Sequence, residues 1–140
     1  MAQHNEIGKL GEELAEQYLI EKGYEIIERN WRYSRFELDL IATKDDTLHF
    51  IEVKTRKTNE FGLPENAVDE IKISYLVAAG EEFLYQHPEW RKVQFDVLSI
   101  CLLPFDEVEY FLIEDVYCGF KYERDLSVTL FVRCRLQSVK

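Results

Sequence analysis

The chain has 140 residues, 46% hydrophobic and 31% charged, which argues against a disordered or fibrous protein and for one globular domain. Its apolar runs are too short to span a bilayer, and the N-terminal MAQHNEIGKLGEE lacks the basic-then-apolar plan of a secretory leader, so a cytoplasmic location with no membrane partner is expected. A formal net charge of −10 argues against a general polyanion binder.

In chain order, Ile7, Leu10, Leu14, Tyr18 and Leu19 recur at helical spacing and predict a helix from about His4 to Lys22, stopped by Gly23. Gly8, Gly11 and Ala15 form a small-residue strip along it that permits close approach to a sheet. YEIIERNW (24–31) reads as a first strand, and FELDLIAT and LHFIEVKT as a second and third joined through Lys44-Asp45-Asp46. Residues 57–66 carry Gly62 and Pro64 and read as a loop. A second helix is expected from about Ala67 to Tyr85, ended at His87-Pro88. KVQFDVLSICL (92–102) and EVEYFLIEDV (107–116) read as further strands, and the tail segment SVTLFVRCRL as another short one. The order is αβββαββ. Short turns make the first three strands an antiparallel meander, and the crossover through the second helix returns the fourth parallel to a neighbour. An α/β fold with a mixed sheet and flanking helices follows. Cys101, Cys118 and Cys134 fit neither a CxxC pair nor a zinc spacing, and read as reduced thiols.

The charge is unevenly spread. Between Glu28 and Lys57 the balance is +1, whereas the remainder carries −11. Any nucleic-acid contact is therefore expected to be local, around Arg29, Arg32, Arg35, Lys54, Arg56 and Lys57.

The hairpin FELDLIATKDDTLHFIEVKTR raises the chemical question. Alternation places Leu38, Leu40, Ile51 and Val53 on one face and Glu37, Asp39, Glu52 and Lys54 on the other. A turn centred between Asp45 and Asp46 sets Asp39 opposite Glu52 and Glu37 opposite Lys54. The second pair is an ordinary cross-strand ion pair. The first places two carboxylates about 5 Å apart, a repulsion of roughly 3 kcal/mol at an effective dielectric near 20. A proton, a nearby cation or a divalent metal relieves it. Hard oxygen ligands suit Mg²⁺ or Mn²⁺, with water and a substrate phosphate completing the shell, and Lys54 on the same face could assist a metal-bound water. Glu12, bordering the small-residue strip, is a candidate further ligand. The competing reading is a solvated hairpin whose acids point into bulk water.

The segments HNEIGKLGEELAEQYL, GYEIIERNWR, ELDLIA, FIEVKTR and FGLPENAVDEIK, in this order, resemble the YraN-like family of bacterial proteins over roughly residues 4–117. That family is similar to the restriction-endonuclease-like, or PD-(D/E)xK, nucleases and to archaeal Holliday-junction resolvases. The resemblance implies a restriction-endonuclease-like domain over 1–117 and assigns Asp39, Glu52 and Lys54 to the PD-(D/E)xK motif. Glu12 matches the helix acid, Glu37 a supporting acid, and Lys72 a lysine early in the second helix that contacts a phosphate backbone. Phe36 stands where the family usually has Gly, and Leu38 where the nuclease motif has Pro. Residues 118–140 match nothing in the family and read as an extension that adds an edge strand or supports self-association. A homodimer is expected by analogy with the resolvases.

Three functions compete at this point. The first is an Mg²⁺- or Mn²⁺-dependent nuclease on DNA, including branched or structured DNA, with Asp39, Glu52 and Glu12 as metal ligands. The second is a nucleic-acid-binding module of the same fold without turnover, and the third a partner-binding structural protein.

Overall fold

The computed structural model describes residues 2–57, 70–116 and 135–138. The expected loop beyond Lys57, the start of the second helix, Cys118, Cys134 and all of the 118–140 extension except 135–138 lie outside the described residues. The elements are α1 (Ala2–Glu21), β1 (Glu25–Tyr33), β2 (Phe36–Lys44), β3 (Thr47–Lys57), α2 (Glu70–Gln86), β4 (Lys92–Leu102), β5 (Val108–Glu114) and β6 (Arg135–Ser138). The α/β class and the order αβββαββ are as expected, with β6 added from the tail. Among the described residues no helix is long and apolar enough to cross a membrane.

The strands form one mixed sheet in the order β1-β2-β3-β4-β5-β6. β1, β2 and β3 make the expected antiparallel meander. β4 returns through α2 to lie parallel to β3, and β5 and β6 follow antiparallel. The helices cover opposite faces. Phe83, Leu76 and Ala79 of α2 pack with Leu48, Phe50 and Phe95 on one side. Ala15 and Leu19 of α1 pack with Leu40, Ile51, Leu98 and Ile100 on the other. A sheet covered on both faces explains why β4 reads as a continuous apolar run rather than an alternating one.

Helix α1 ends in a Schellman turn. Gly23 takes φ +92, and the Tyr24 N–H donates to the Leu19 carbonyl at 3.0 Å. The helix backbone meets β3 at Gly11, where a Cβ would overlap the Thr55 side chain. The expected small-residue strip thus reduces to Gly11 and Ala15. Gly8 has open space beside it and Leu10 is exposed, so these positions of α1 stand clear of the sheet.

The β2–β3 hairpin closes through a two-residue turn, with Lys44 paired to Thr47 and both Asp45 and Asp46 at positive φ. This is the primed-turn geometry that matches strand twist, and Asp tolerates it through its short polar side chain. The ladder keeps the expected register from Lys44↔Thr47 to Leu40↔Ile51.

Candidate active site

Past Leu40 and Ile51 the two middle strands separate. β2 stays paired to β1 as far as Phe36, and β3 stays paired to β4 as far as Lys57, but the β2–β3 ladder does not continue between them. The hairpin is therefore a fork, closed at Asp45-Asp46 and open at the other end. Asp39 and Glu52 are the first residues beyond its last paired rung.

Asp39 sits at a break in the pleat. Leu40 lies in the core under α1 and Leu38 in the core under α2, although residues two apart in a regular strand share a face. β1 changes face at the same level: Arg29 reaches Glu16 of α1, whereas Trp31 packs into the α2 side. Between them Asn30 has φ 49, and the Asn30–Asp39 rung is missing from the ladder, whose other irregularity is a bulge between Ile26 and Glu28. Asn visits this left-handed conformation more readily than most side chains. The expected face Leu38–Leu40–Ile51–Val53 is thereby corrected, since Leu38 belongs to the opposite side from the other three.

The switch leaves the Asp39 side chain in the crotch of the fork. Its Oδ2 accepts the Val53 N–H at 2.9 Å, occupying a donor that a continued ladder would have used. Burial pushes the Asp39 carboxyl up to about 6, against the pull of the Val53 N–H, and the charges of Glu52, Glu12 and Glu37 push the same way as burial. Few described carboxylates are so crowded by their own sign.

The three acids reach Asp39 from different directions. Asp39, Glu52 and Glu37 line a cavity of about 240 Å³ on the α2 side. Asp39 and Glu12 line a second, of about 210 Å³, on the α1 side, with Lys9, Glu16 and Arg29. Asp39 is common to both. Among the described residues no three His, Cys, Asp or Glu side chains converge on a single ion position. The Asp39–Glu52 pair nonetheless has the donor chemistry of a hard divalent cation: two carboxylate groups, one of them partly buried and raised toward neutrality, facing one cavity.

The remaining expected residues divide clearly. Lys54 Nζ lies 3.2 Å from Glu52 Oε1, so the lysine and the acid of the Glu-x-Lys stretch meet along one strand. Glu37 was expected opposite Lys54 but pairs with Arg32 at 3.4 Å, because the strands have parted before they reach that rung. Arg29 is held by Glu16 through a two-point ion pair, with Nε donating to Oε2 at 2.8 Å, and this contact lowers the Glu16 pKa. Arg35 lines the same cavity as Asp39 and Glu52. Arg56 is partly buried and Lys57 exposed at the open end of β3. Lys72 falls in the first turn of α2, and its side chain lies outside the described residues.

Three features escape the sequence reading. One is the backbone N–H of Val53 as the Asp39 anchor, which no side-chain pattern announces. Another is the approach of Tyr75 and Leu76 to the acids, which depends on how α2 crosses the sheet. The third is a buried pair on the α1 face, His49 Nδ1 to Asp96 Oδ2 at 2.7 Å. Asp96 Oδ1 also accepts from Gln94 Nε2 at 2.9 Å and from the Asp115 N–H at 3.0 Å. Here a signal existed: one acid inside the apolar strand VQFDVLSI demands buried partners.

Fold and site together define an α/β domain whose mixed sheet forks at an acid pair, with a lysine two residues past the second acid. The family model for Uncharacterised protein family UPF0102 matches residues 11–100, and the chain belongs to that family, the YraN-like one its motifs resemble. It is 46% identical over 100 residues to a UPF0102 protein of Phocaeicola vulgatus, covering 71% of this chain and 83% of the relative. Over 98 residues it is 48% identical to one of Syntrophomonas wolfei, covering 69% and 85%. A UPF0102 protein of Christiangramia forsetii is 47% identical over 100 residues, covering 71% and 84%.

Proposed function

We propose that the chain is a metal-dependent phosphodiesterase acting on nucleic acid, with DNA as the expected substrate. The supporting observation is the open fork, where Asp39 and Glu52 face one cavity and Lys54 meets Glu52. An Asp on one strand followed by Glu-x-Lys on the next is also the arrangement of the PD-(D/E)xK motif that the sequence resembles.

In this reading Asp39 and Glu52 hold Mg²⁺ or Mn²⁺, which when bound activates a water and neutralises phosphate charge. Lys54 exchanges its contact with Glu52 for one to the attacking water or to a phosphate oxygen. The Val53 N–H fixes Asp39 through Oδ2, so Oδ1 is the oxygen assigned to the cation in this reading. Glu12 adds negative charge beside Asp39 from the α1 side, which strengthens the demand for a cation, and its part is electrostatic because it lines the other cavity. Arg35, Arg56 and Lys57 flank the opening and contact phosphates without reading sequence, with Arg32 beside them.

A binding module without turnover is the second reading. It is favoured by the absence, among the described residues, of a third acid on the same ion position. One assay separates the two: cleavage of linear, flapped and four-way DNA with Mn²⁺, by wild type, Asp39→Asn and Lys54→Ala. The phosphodiesterase reading expects cleavage by wild type and a loss of at least about a hundredfold in each variant. Cleavage unchanged in Asp39→Asn overturns it, and metal-independent DNA binding without cleavage favours the second reading.

A further inference from the structure

The cavity that holds Asp39 and Glu52 has a second, non-acidic half. Phe36, Tyr75 and Leu76 line it, and Arg35 borders it. The Phe36 and Tyr75 ring centroids lie 5.7 Å apart with their planes at 44°, and the Arg35 guanidinium stands 5.4 Å from the Phe36 centroid. Phe36 is anchored in the core beneath α2, whereas Tyr75 is 49% exposed. What sets this pair apart from the rings inside that core is exposure rather than angle: Phe50, Phe83 and Phe95 pack on one another, edge-on at 79° or tilted at 34°, and are all buried. At the cavity Tyr75 is about half exposed and lines the same space as the acid pair.

Resting on the phosphodiesterase reading, we infer that this half of the cavity is a stacking subsite for an unpaired nucleobase next to the scissile phosphate. A phosphate held at Asp39 and Glu52 carries its nucleoside into the same cavity, because the acids and the rings share one wall. Within a duplex both faces of that base are covered by its neighbours and its edge is paired, so Tyr75 has nothing to stack on. An unpaired nucleotide offers a free face, and stacking on an aromatic ring is tolerant of base identity because every base has one. Arg35 can lie over the base or bind its flanking phosphate, as a guanidinium suits both. The substrate class that results is a strand with an unpaired nucleotide at the cut, such as an overhang, flap or junction. Continuous duplex falls outside it. Glu37, Asp39 and Glu52 in the same wall outnumber Arg35, so before a cation binds the base contact adds attraction to a site that on balance repels a phosphate.

The test is anisotropy binding of the full chain to a short single-stranded oligonucleotide and to a blunt duplex of the same sequence, with Ca²⁺ to support binding without turnover. Tyr75→Ala is expected to weaken single-strand binding about tenfold to a hundredfold, the range for one stacked base, and to leave duplex binding unchanged. Tyr75→Phe keeps the ring and is expected to bind as wild type. A 2-aminopurine placed opposite the ring is expected to be quenched by wild type and not by Tyr75→Ala, while equal melting temperatures show that both are folded. Single-strand binding unaltered in Tyr75→Ala, or equal losses for single strand and duplex, overturns the subsite. Tyr75-dependent binding and quenching by a protein that never cleaves leaves the subsite standing and removes the phosphodiesterase reading. Cleavage that is indifferent to Tyr75 does the reverse.

Discussion

Two aspartates enter the same sheet and meet opposite treatment. Asp96 is fully buried on the α1 face, yet His49, Gln94 and the Asp115 backbone all reach its carboxylate. His49 Nδ1 lies 2.7 Å from Asp96 Oδ2, and Tyr24 meets the imidazole edge-on. Asp39 is only partly buried, receives one backbone N–H, and is otherwise surrounded by Glu12, Glu37 and Glu52. The first aspartate is satisfied inside the protein and ties β3, β4 and the residue after β5 together. The second is left under tension that a proton or a cation from outside relieves. A buried acid that fastens a fold is given donors by it, whereas an acid crowded by its own sign in a cavity marks where chemistry from solvent is expected.

The largest effect on stability is expected at the satisfied site. Asp96→Ala leaves His49, Gln94 and the Asp115 N–H without their acceptor and should lower unfolding free energy by about 3–5 kcal/mol, read from urea denaturation. A loss below about 1 kcal/mol would show that this network is ornamental. Gly11→Ala should cost about 1–3 kcal/mol, because the new methyl overlaps Thr55 and α1 must shift off β3. It should also reduce cleavage through displacement of Glu12, whereas Gly8→Ala, with open space around it, should do neither.

At the crowded aspartate the sign reverses. The Asp39 pKa of about 6 in the native state lies above its value of 3.8 when unperturbed, so ionising Asp39 disfavours the fold. Wild type therefore loses stability as pH rises from about 4 through 6, a penalty that Asp39→Asn does not carry. The variant keeps an acceptor for Val53 and should match wild type at pH 4. Above pH 7 it should be the more stable by about 1–2 kcal/mol, the full linkage of about 3 being reduced by solvent at a partly exposed site. Mn²⁺ should then raise the melting temperature of wild type and leave that of the variant unmoved. A variant less stable than wild type at every pH would show that Asp39 is structural, like Asp96. The smallest effect belongs to the closed end of the hairpin. Asp46→Gly removes a side chain from a residue at φ 62 and should stabilise by about 0.5–1 kcal/mol in thermal melts, with no change in metal response.

Much of this was legible in the chain. The Asp45-Asp46 turn implied the register that brings Asp39 level with Glu52, and the ladder follows it down to Leu40↔Ile51. The αβββαββ order, the Gly23 stop and the close approach at Gly11 were also readable, because each is set by periodicity or by a backbone requirement local to its segment. The parting of the strands was not. Strict alternation put Leu38 with Leu40 and paired Glu37 with Lys54, and both fail because Asn30 and Asp39 turn the pleat over together. Nothing within β2 announces that switch, which is shared across two strands and sustained by the separate cores that receive Leu38 and Leu40.

The residues of this protein therefore carried their elements, their turn chemistry and the identities of the acids and the lysine, since all of these depend on neighbours a few positions away. Which acids share a cavity, which donor holds Asp39, which carboxylate is satisfied and which ring stands beside the reactive pair were decided by the packing of two helices on opposite faces of a forked sheet. Those contacts join residues from separate segments, and their strength comes from exclusion of water between surfaces that exist only once the whole domain has formed.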